Sequence, residues 1–145
     1  MASQGNAPSV VEYGPPLTLD EAKQVMAAAE AEAVRNGWPV VIAILDSGRH
    51  LTMLHRVDHA QYGSIEIAQL KAATALNFKR PTKAFQDLIE TGGVHLRLLA
   101  MPNMLPLEGG IPLLRGGKIV GAIGVSGMQS GQDAQVAEAG AAALG

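Results

Sequence analysis

The sequence contains no cysteine and few aromatic residues, with two Phe, two Tyr and one Trp among 145 residues. Without cysteine there can be no disulfide, no thiolate nucleophile and no cysteine-ligated zinc, which fits a reducing compartment. The scarcity of rings makes ligand stacking on aromatic side chains a poor expectation. An excess of one charge is also missing: 11 Lys and Arg against 13 Asp and Glu leave a net charge of −2. No basic run exceeds Lys79-Arg80, so neither nucleic acid nor an anionic membrane meets an electrostatic footprint. No stretch reaches the roughly 20 apolar residues of a membrane span. Met1 to Pro16 has neither the basic nor the apolar region of a secretory leader. These absences predict a soluble cytoplasmic protein with no nucleic-acid or membrane partner.

What is present is enough for a core. Hydrophobic residues make up 48% of the chain and charged residues 17%, and at this length roughly 70% of the unfolded surface can be buried in one domain. Residues 1–16, rich in Ser, Gln, Asn, Gly and Pro, read as a flexible arm, and residues 17–145 as a single domain. Thr18-Leu19-Asp20-Glu21 is a capping box that starts a helix. Ala22, Val25, Met26, Ala29 and Ala33 line its apolar face, and Asn36-Gly37 stops it. Val40 to Leu45 is apolar without alternation, the mark of a strand covered on both faces. Asp46-Ser47-Gly48-Arg49 turns the chain into a returning strand, His50 to Arg56, with Leu51, Met53 and His55 expected on one face.

Ser64 is expected to cap an alanine-rich helix to about Phe78, and Thr82 a short one over Lys83 to Glu90. Val94 to Pro106 gives a mixed signal and reads as an edge element. Ile111 to Arg115 and Lys118 to Val125 form a hairpin about Gly116-Gly117. A last helix runs from Gln132 to Leu144 with Ser130 as its cap.

Three of the four histidines, His50, His55 and His59, fall within ten positions, which invites a metal or cofactor reading. Strand alternation separates His50 from His55, so one common site needs a twist or a partner chain, and three separate surface histidines are the plainer account. His95, after Gly92-Gly93, either lines a pocket or is exposed. Glu108 precedes Gly109-Gly110 in a nearly uncharged stretch, where burial would raise its pKa and suit it to acid-base work. Gly121, Gly124 and Gly127 follow G-x-x-G-x-x-G spacing, which is neither a dinucleotide fingerprint nor a P-loop. Gly121 and Gly124 leave gaps on the second strand where a helix or a ligand can approach the backbone. Ser126-Gly127 leads into the last helix, whose free N–H groups could hold a carboxylate or be capped internally. No G-x-S-x-G context supports a serine hydrolase.

Several motifs together resemble the GlcG/HbpS family of small haem-binding proteins, to which the C-terminal domain of PduO belongs. They are Leu17-Thr18-Leu19-Asp20-Glu21-Ala22, Asp46-Ser47-Gly48-Arg49-His50-Leu51, Arg56-Val57-Asp58, Ala68 to Thr74 with Arg80-Pro81-Thr82, Gly109-Gly110-Ile111-Pro112, and Gly121 to Gly127. The resemblance implies an α/β (α+β) sandwich, with a profilin-like five-stranded antiparallel sheet flanked by helices. It also implies assembly into dimers and often octamers, and haem or tetrapyrrole binding in some members. His59 stands where many members have glycine, and His55 replaces a residue that is usually not histidine.

Two function classes follow. One is a homo-oligomeric haem, tetrapyrrole or small-ligand binder. Its cofactor site would draw on His50, His55, Gly109, Gly110, Ser126 and Gly127, with His50, His55 or His59 as metal ligands and the macrocycle against the glycine strand. The other is a catabolic enzyme of isomerase or lyase type on a small carboxylated metabolite, with Glu108 or His50 as acid-base.

Overall fold

In the computed structural model, which describes residues 10–144, the elements run in a single series. They are α1 (Leu19–Asn36), β1 (Val41–Asp46), β2 (Leu51–Arg56), α2 (Gly63–Phe78), α3 (Lys83–Thr91), a 3₁₀ helix (Gly93–Ala100), β3 (Gly110–Arg115), β4 (Lys118–Ser126) and α4 (Ser130–Ala142). The strands make one antiparallel sheet in the order β2-β1-β4-β3. Among the described residues four strands stand in place of the five expected. The segment read as an edge element is a 3₁₀ helix followed by irregular chain, where Pro102 and Pro106 have no N–H to give a ladder.

Most of the expected arm, residues 1–9, lies outside the described residues. Beyond the end of β1, Glu12 to Gly14 runs beside β4: Ile119 N–H donates to the Glu12 carbonyl at 2.9 Å and Gly14 N–H to the Ile119 carbonyl at 2.8 Å.

Helices cover both faces of the sheet, which is why β1 shows no alternation. Ile42 and Ile44 join Val25, Met26 and Ala29 of α1 and Val136 and Ala137 of α4. Leu45 meets Ala72 and Ala75 of α2, and Val41 and Ala43 meet Ala68. The α2 side is lined by small residues because the helix backbone lies almost on the sheet. A Cβ at Gly124 would stand 2.0 Å from the Ala68 carbonyl oxygen, and one at Gly110 2.2 Å from that of Lys71. The gaps left by these glycines are filled by α2, which corrects the expectation of a macrocycle lying there.

The local signals that depend on neighbouring residues alone are realised. Thr18 and Glu21 form the reciprocal capping box, and Gly37 ends α1 in the left-handed region at φ 72. Gly116 and Gly117, at φ 58 and 78, make the hairpin turn, and Pro112 lies on an edge strand. Three other caps are different. Ser64, Thr82 and Ser130 do not cap their helices: Gln129 caps α4 in a box with Gln132, and α2 and α3 have no side-chain cap. The Ser64 and Thr82 hydroxyls bond across the fold instead, Ser64 with Ser126 and Thr82 with Gly110. Among the described residues no helix is long and apolar enough to cross a membrane.

Candidate functional site

One group of polar residues is sealed between α2, α4 and β4. Lys71, on the sheet-facing side of α2, donates from Nζ to Asp133 Oδ2 at 3.0 Å and to the Val125 carbonyl at 2.9 Å. Asp133 Oδ1 accepts the Met128 N–H at 2.9 Å. Both side chains are only 3% exposed. Burial pushes the Asp133 carboxyl above its ordinary value, while the Lys71 ammonium and the N–H groups of Met128 and Gly127 pull it down.

Ser126 bonds Ser64 at 2.9 Å, and the Gly110 N–H donates to Thr82 Oγ1 at 2.9 Å. Glu108, Gly109, Gly110, Ser126 and Gly127 therefore do come together at one end of the sheet, around this ion pair. The start of α4, expected to accept a ligand carboxylate, is filled by the chain's own Asp133 and Gln129. Sequence reasoning overlooked Lys71 and did not assign Asp133 this role. The signal was a lone charge inside each apolar stripe: Lys71 among Ala68, Ala72 and Ala75, and Asp133 with Val136, Ala137 and Gly140.

Two open clefts lie at the other end of the sheet, where β1 turns into β2. Asp46 Oδ1 accepts the N–H groups of Gly48 at 2.8 Å and His50 at 3.0 Å, and the Arg49 N–H closes on the Asp46 carbonyl at 3.0 Å. This turn holds Arg49 in the left-handed region at φ 70. The His50 imidazole is 81% exposed, with Nδ1 3.3 Å from Asp46 Oδ1, so Nε2 is left to face outward.

A register shift beside the turn pairs Leu45 with Leu51 but Ile44 with Met53. The extra residue turns Leu51 to the α2 side, away from Met53, and so corrects the expectation that Leu51, Met53 and His55 share a face. Leu51 there lines a cleft of about 310 Å³ with Leu45, Arg49, Leu70 and Ala73, and with Glu66 and Gln69 at its polar side. Arg49 also borders a second cleft of about 220 Å³ with Tyr13, Ser47, Gly48 and Asn77. Burial pushes the Tyr13 phenol up and the Arg49 charge draws it down.

The histidines do not converge. His55 and His50 stand at opposite ends of β2, about 15 Å apart along a strand; His55 Nδ1 is 2.9 Å from Glu30 Oε1 on α1. His59 borders two further clefts, one with Arg56 and Tyr62 and one with Trp38 and Asp58. Its φ of 76 explains why glycine suits this position. Among the described residues no three His, Asp or Glu side chains are grouped to hold a metal ion. His95 bonds Thr91 through Nδ1 at 2.7 Å. Glu108, half-buried, receives no side-chain partner from the histidine strand; its N–H donates to Gln86 Oε1 at 2.9 Å. It lies at the sheet end opposite His50, so the two form no acid-base pair.

A tetrapyrrole fits the Arg49 end by its donor set. His50 offers an exposed imidazole with Nδ1 3.3 Å from Asp46 Oδ1, and its neighbours Arg49 and Leu51 line a cleft with Leu45, Leu70 and Ala73 that offers apolar surface and a cation without including the His50 ring.

Comparison with known proteins agrees with this architecture. A family model described as haem degrading protein HbpS-like matches residues 17–142. Protein GlcG of Escherichia coli strain K12 is 41% identical over 110 residues, which cover 76% of this chain and 81% of that protein. The crystal structure of HbpS superposes with a TM-score of 0.82 at 34% identity, over 94% of this chain and 95% of that one. The crystal structure of a PduOC:haem complex gives a TM-score of 0.80 at 30% identity, over 88% and 94%. With the family model covering nearly all of the folded chain, this protein belongs to the HbpS-like family.

Proposed function

We propose that this protein is a homo-oligomeric binder of haem or a related tetrapyrrole, and that the ligand sits at the β1–β2 turn with His50 as the iron-facing imidazole. The observation that carries the reading is the solvent-facing His50 ring, with Nδ1 3.3 Å from Asp46 Oδ1, on a turn whose flanking residues Arg49 and Leu51 both line the apolar cleft. A relative of the same fold is described as a haem complex, which supports the ligand class.

Asp46 would hold the imidazole in one tautomer, with the proton on Nδ1 and Nε2 presented outward. Leu51 and Leu70 would exclude water from one side of the macrocycle. Bound haem supplies the iron and its redox chemistry; the chain supplies orientation, exclusion of water and charge.

Addition of hemin to the full chain should shift the Soret band, and His50→Ala should abolish the shift while His55→Ala preserves it. No shift with the wild type rejects the reading, and loss in His55→Ala alone moves the site to the α1 side. An enzymatic role would be exposed by Glu108→Gln abolishing turnover of a carboxylated metabolite in a protein that still folds.

A further inference from the structure

We propose that Arg49 is the anchor for a carboxylate of the bound ligand, so that the two clefts it joins select an apolar body ending in a carboxylate. The inference rests on the tetrapyrrole reading for where the ligand sits and adds which of its groups is recognised.

The first observation is that Arg49 makes no ion pair among the described residues. Asp46, the carboxylate nearest in sequence, is committed to the N–H groups of Gly48 and His50 and to the His50 ring. The second is the backbone: φ of 70 lies in the left-handed region, which residues with a Cβ rarely adopt. The hydrogen bonds of the Asp46 turn hold Arg49 there, which fixes the guanidinium between the two clefts.

The third observation is position. Arg49 alone borders both clefts. One is polar, with the Ser47 hydroxyl and the Asn77 side chain, and Lys79 lies nearby, its ammonium 4.7 Å from the centre of the Tyr13 ring. The C-terminal carbonyls of α2 would repel an anion, but the Tyr13 hydroxyl donates to the Leu76 carbonyl at 2.7 Å and masks it. The other cleft is lined by Leu45, Leu51, Leu70 and Ala73, with Glu66 at the first turn of α2. Glu66 repels a carboxylate and Arg49 attracts one, so the ligand has a single orientation: apolar body over Leu51 and Leu70, carboxylate at Arg49. An arginine fork matches a carboxylate with two hydrogen bonds, which a lysine cannot do.

The test compares each acid with its uncharged counterpart. Wild type and Arg49→Asn are titrated with hemin and hemin dimethyl ester by Soret absorbance, and with 1-pyrenebutyrate and 1-pyrenebutanol by fluorescence. Asparagine tolerates the left-handed conformation, so the variant keeps the turn. Wild type should prefer hemin to its ester by about fivefold, the upper end of what one charge pair contributes at an exposed site. Arg49→Asn should bring that preference below about twofold, with the ester's affinity unchanged. An unchanged preference in the variant overturns the inference and leaves the tetrapyrrole reading standing. If neither tetrapyrrole binds, that reading fails and the pyrene pair decides. An Arg49-dependent preference for the acid supports the anchor, whereas equal binding, or none, overturns it.

Discussion

Lys71 and Asp133 illustrate what a residue can do when the surrounding fold gives it no alternative. Removing both charges from a buried pair is often tolerated, but removing one leaves the other desolvated and unpaired at a cost of about 3–5 kcal/mol. Lys71→Met should therefore lose that much stability in urea melts, and Lys71→Met with Asp133→Leu should recover most of it. The single variant also has a pH signature. Without the ammonium, nothing but two N–H groups opposes the burial that raises the Asp133 carboxyl. An acid whose folded pKa is raised above its unfolded value, about 3.9, stabilises the fold fully below that value and loses the contribution as pH rises through the folded pKa. Lys71→Met should accordingly be nearest to wild type at pH 4 and fall progressively behind toward neutrality; a constant deficit would show that Asp133 is not the titrating group. Both residues stood in the sequence as charges on apolar stripes. Periodicity alone could not say that two such stripes face each other across β4, because that is a fact of topology and not of either helix.

At the scale of elements, the same serine and threonine chemistry was legible in one place and misleading in others. Thr18 caps α1 because Glu21 lies three residues on and nothing else competes. Thr82 also stands before a helix, but Phe85 and not an acid lies three residues on, and its hydroxyl is taken by the N–H of Gly110 on the edge strand β3, a partner 28 residues away. The capping box can be tested by pH. The Thr18 N–H and then the Arg115 guanidinium hold the Glu21 carboxyl below its ordinary range. A lowered acid stabilises the fold above its unfolded pKa, about 4.3, and loses that contribution as pH falls through the folded pKa. The stability gap between wild type and Glu21→Gln should thus narrow between pH 6 and pH 3. The glycines separate in the same way. Gly124→Ala forces a Cβ to 2.0 Å from the Ala68 carbonyl and should cost about 3 kcal/mol or more. Gly131→Ala, in the first turn of α4 with nothing within 4 Å, should instead gain about 0.5–1 kcal/mol. A mild effect at Gly124 would mean that α2 can move off the sheet, and that the space is available to a ligand after all.

For the molecule as a whole, the segment that resisted reading from sequence is also the one that the folded chain leaves uncovered. Met104 is the only buried apolar residue of Val94 to Pro106, so most of the segment answers to no core and shows neither strand nor helix period. The 3₁₀ helix contains no buried residue, and Val94, Leu96 and Leu99 are 62%, 48% and 63% exposed, with Leu107 also open at 42%. Apolar side chains gathered in this way on one segment mark a contact surface, and a net charge of only −2 sets little repulsion against pairing of identical chains. If the protein forms the homo-oligomer proposed above, this segment is where its copies are expected to meet. Burying one leucine contributes about 1.5–3 kcal/mol, so replacing two should weaken association by about two to four powers of ten. Leu96→Glu with Leu99→Glu should reduce the native mass measured by sedimentation at micromolar concentration while leaving the far-ultraviolet circular dichroism unchanged. Since these residues lie outside the turn that holds Arg49 and His50, the variant should still shift the Soret band of hemin. An unchanged native mass would place the contact elsewhere, whereas a smaller species unable to bind hemin would show that the site at the β1–β2 turn is completed by a second copy of the chain.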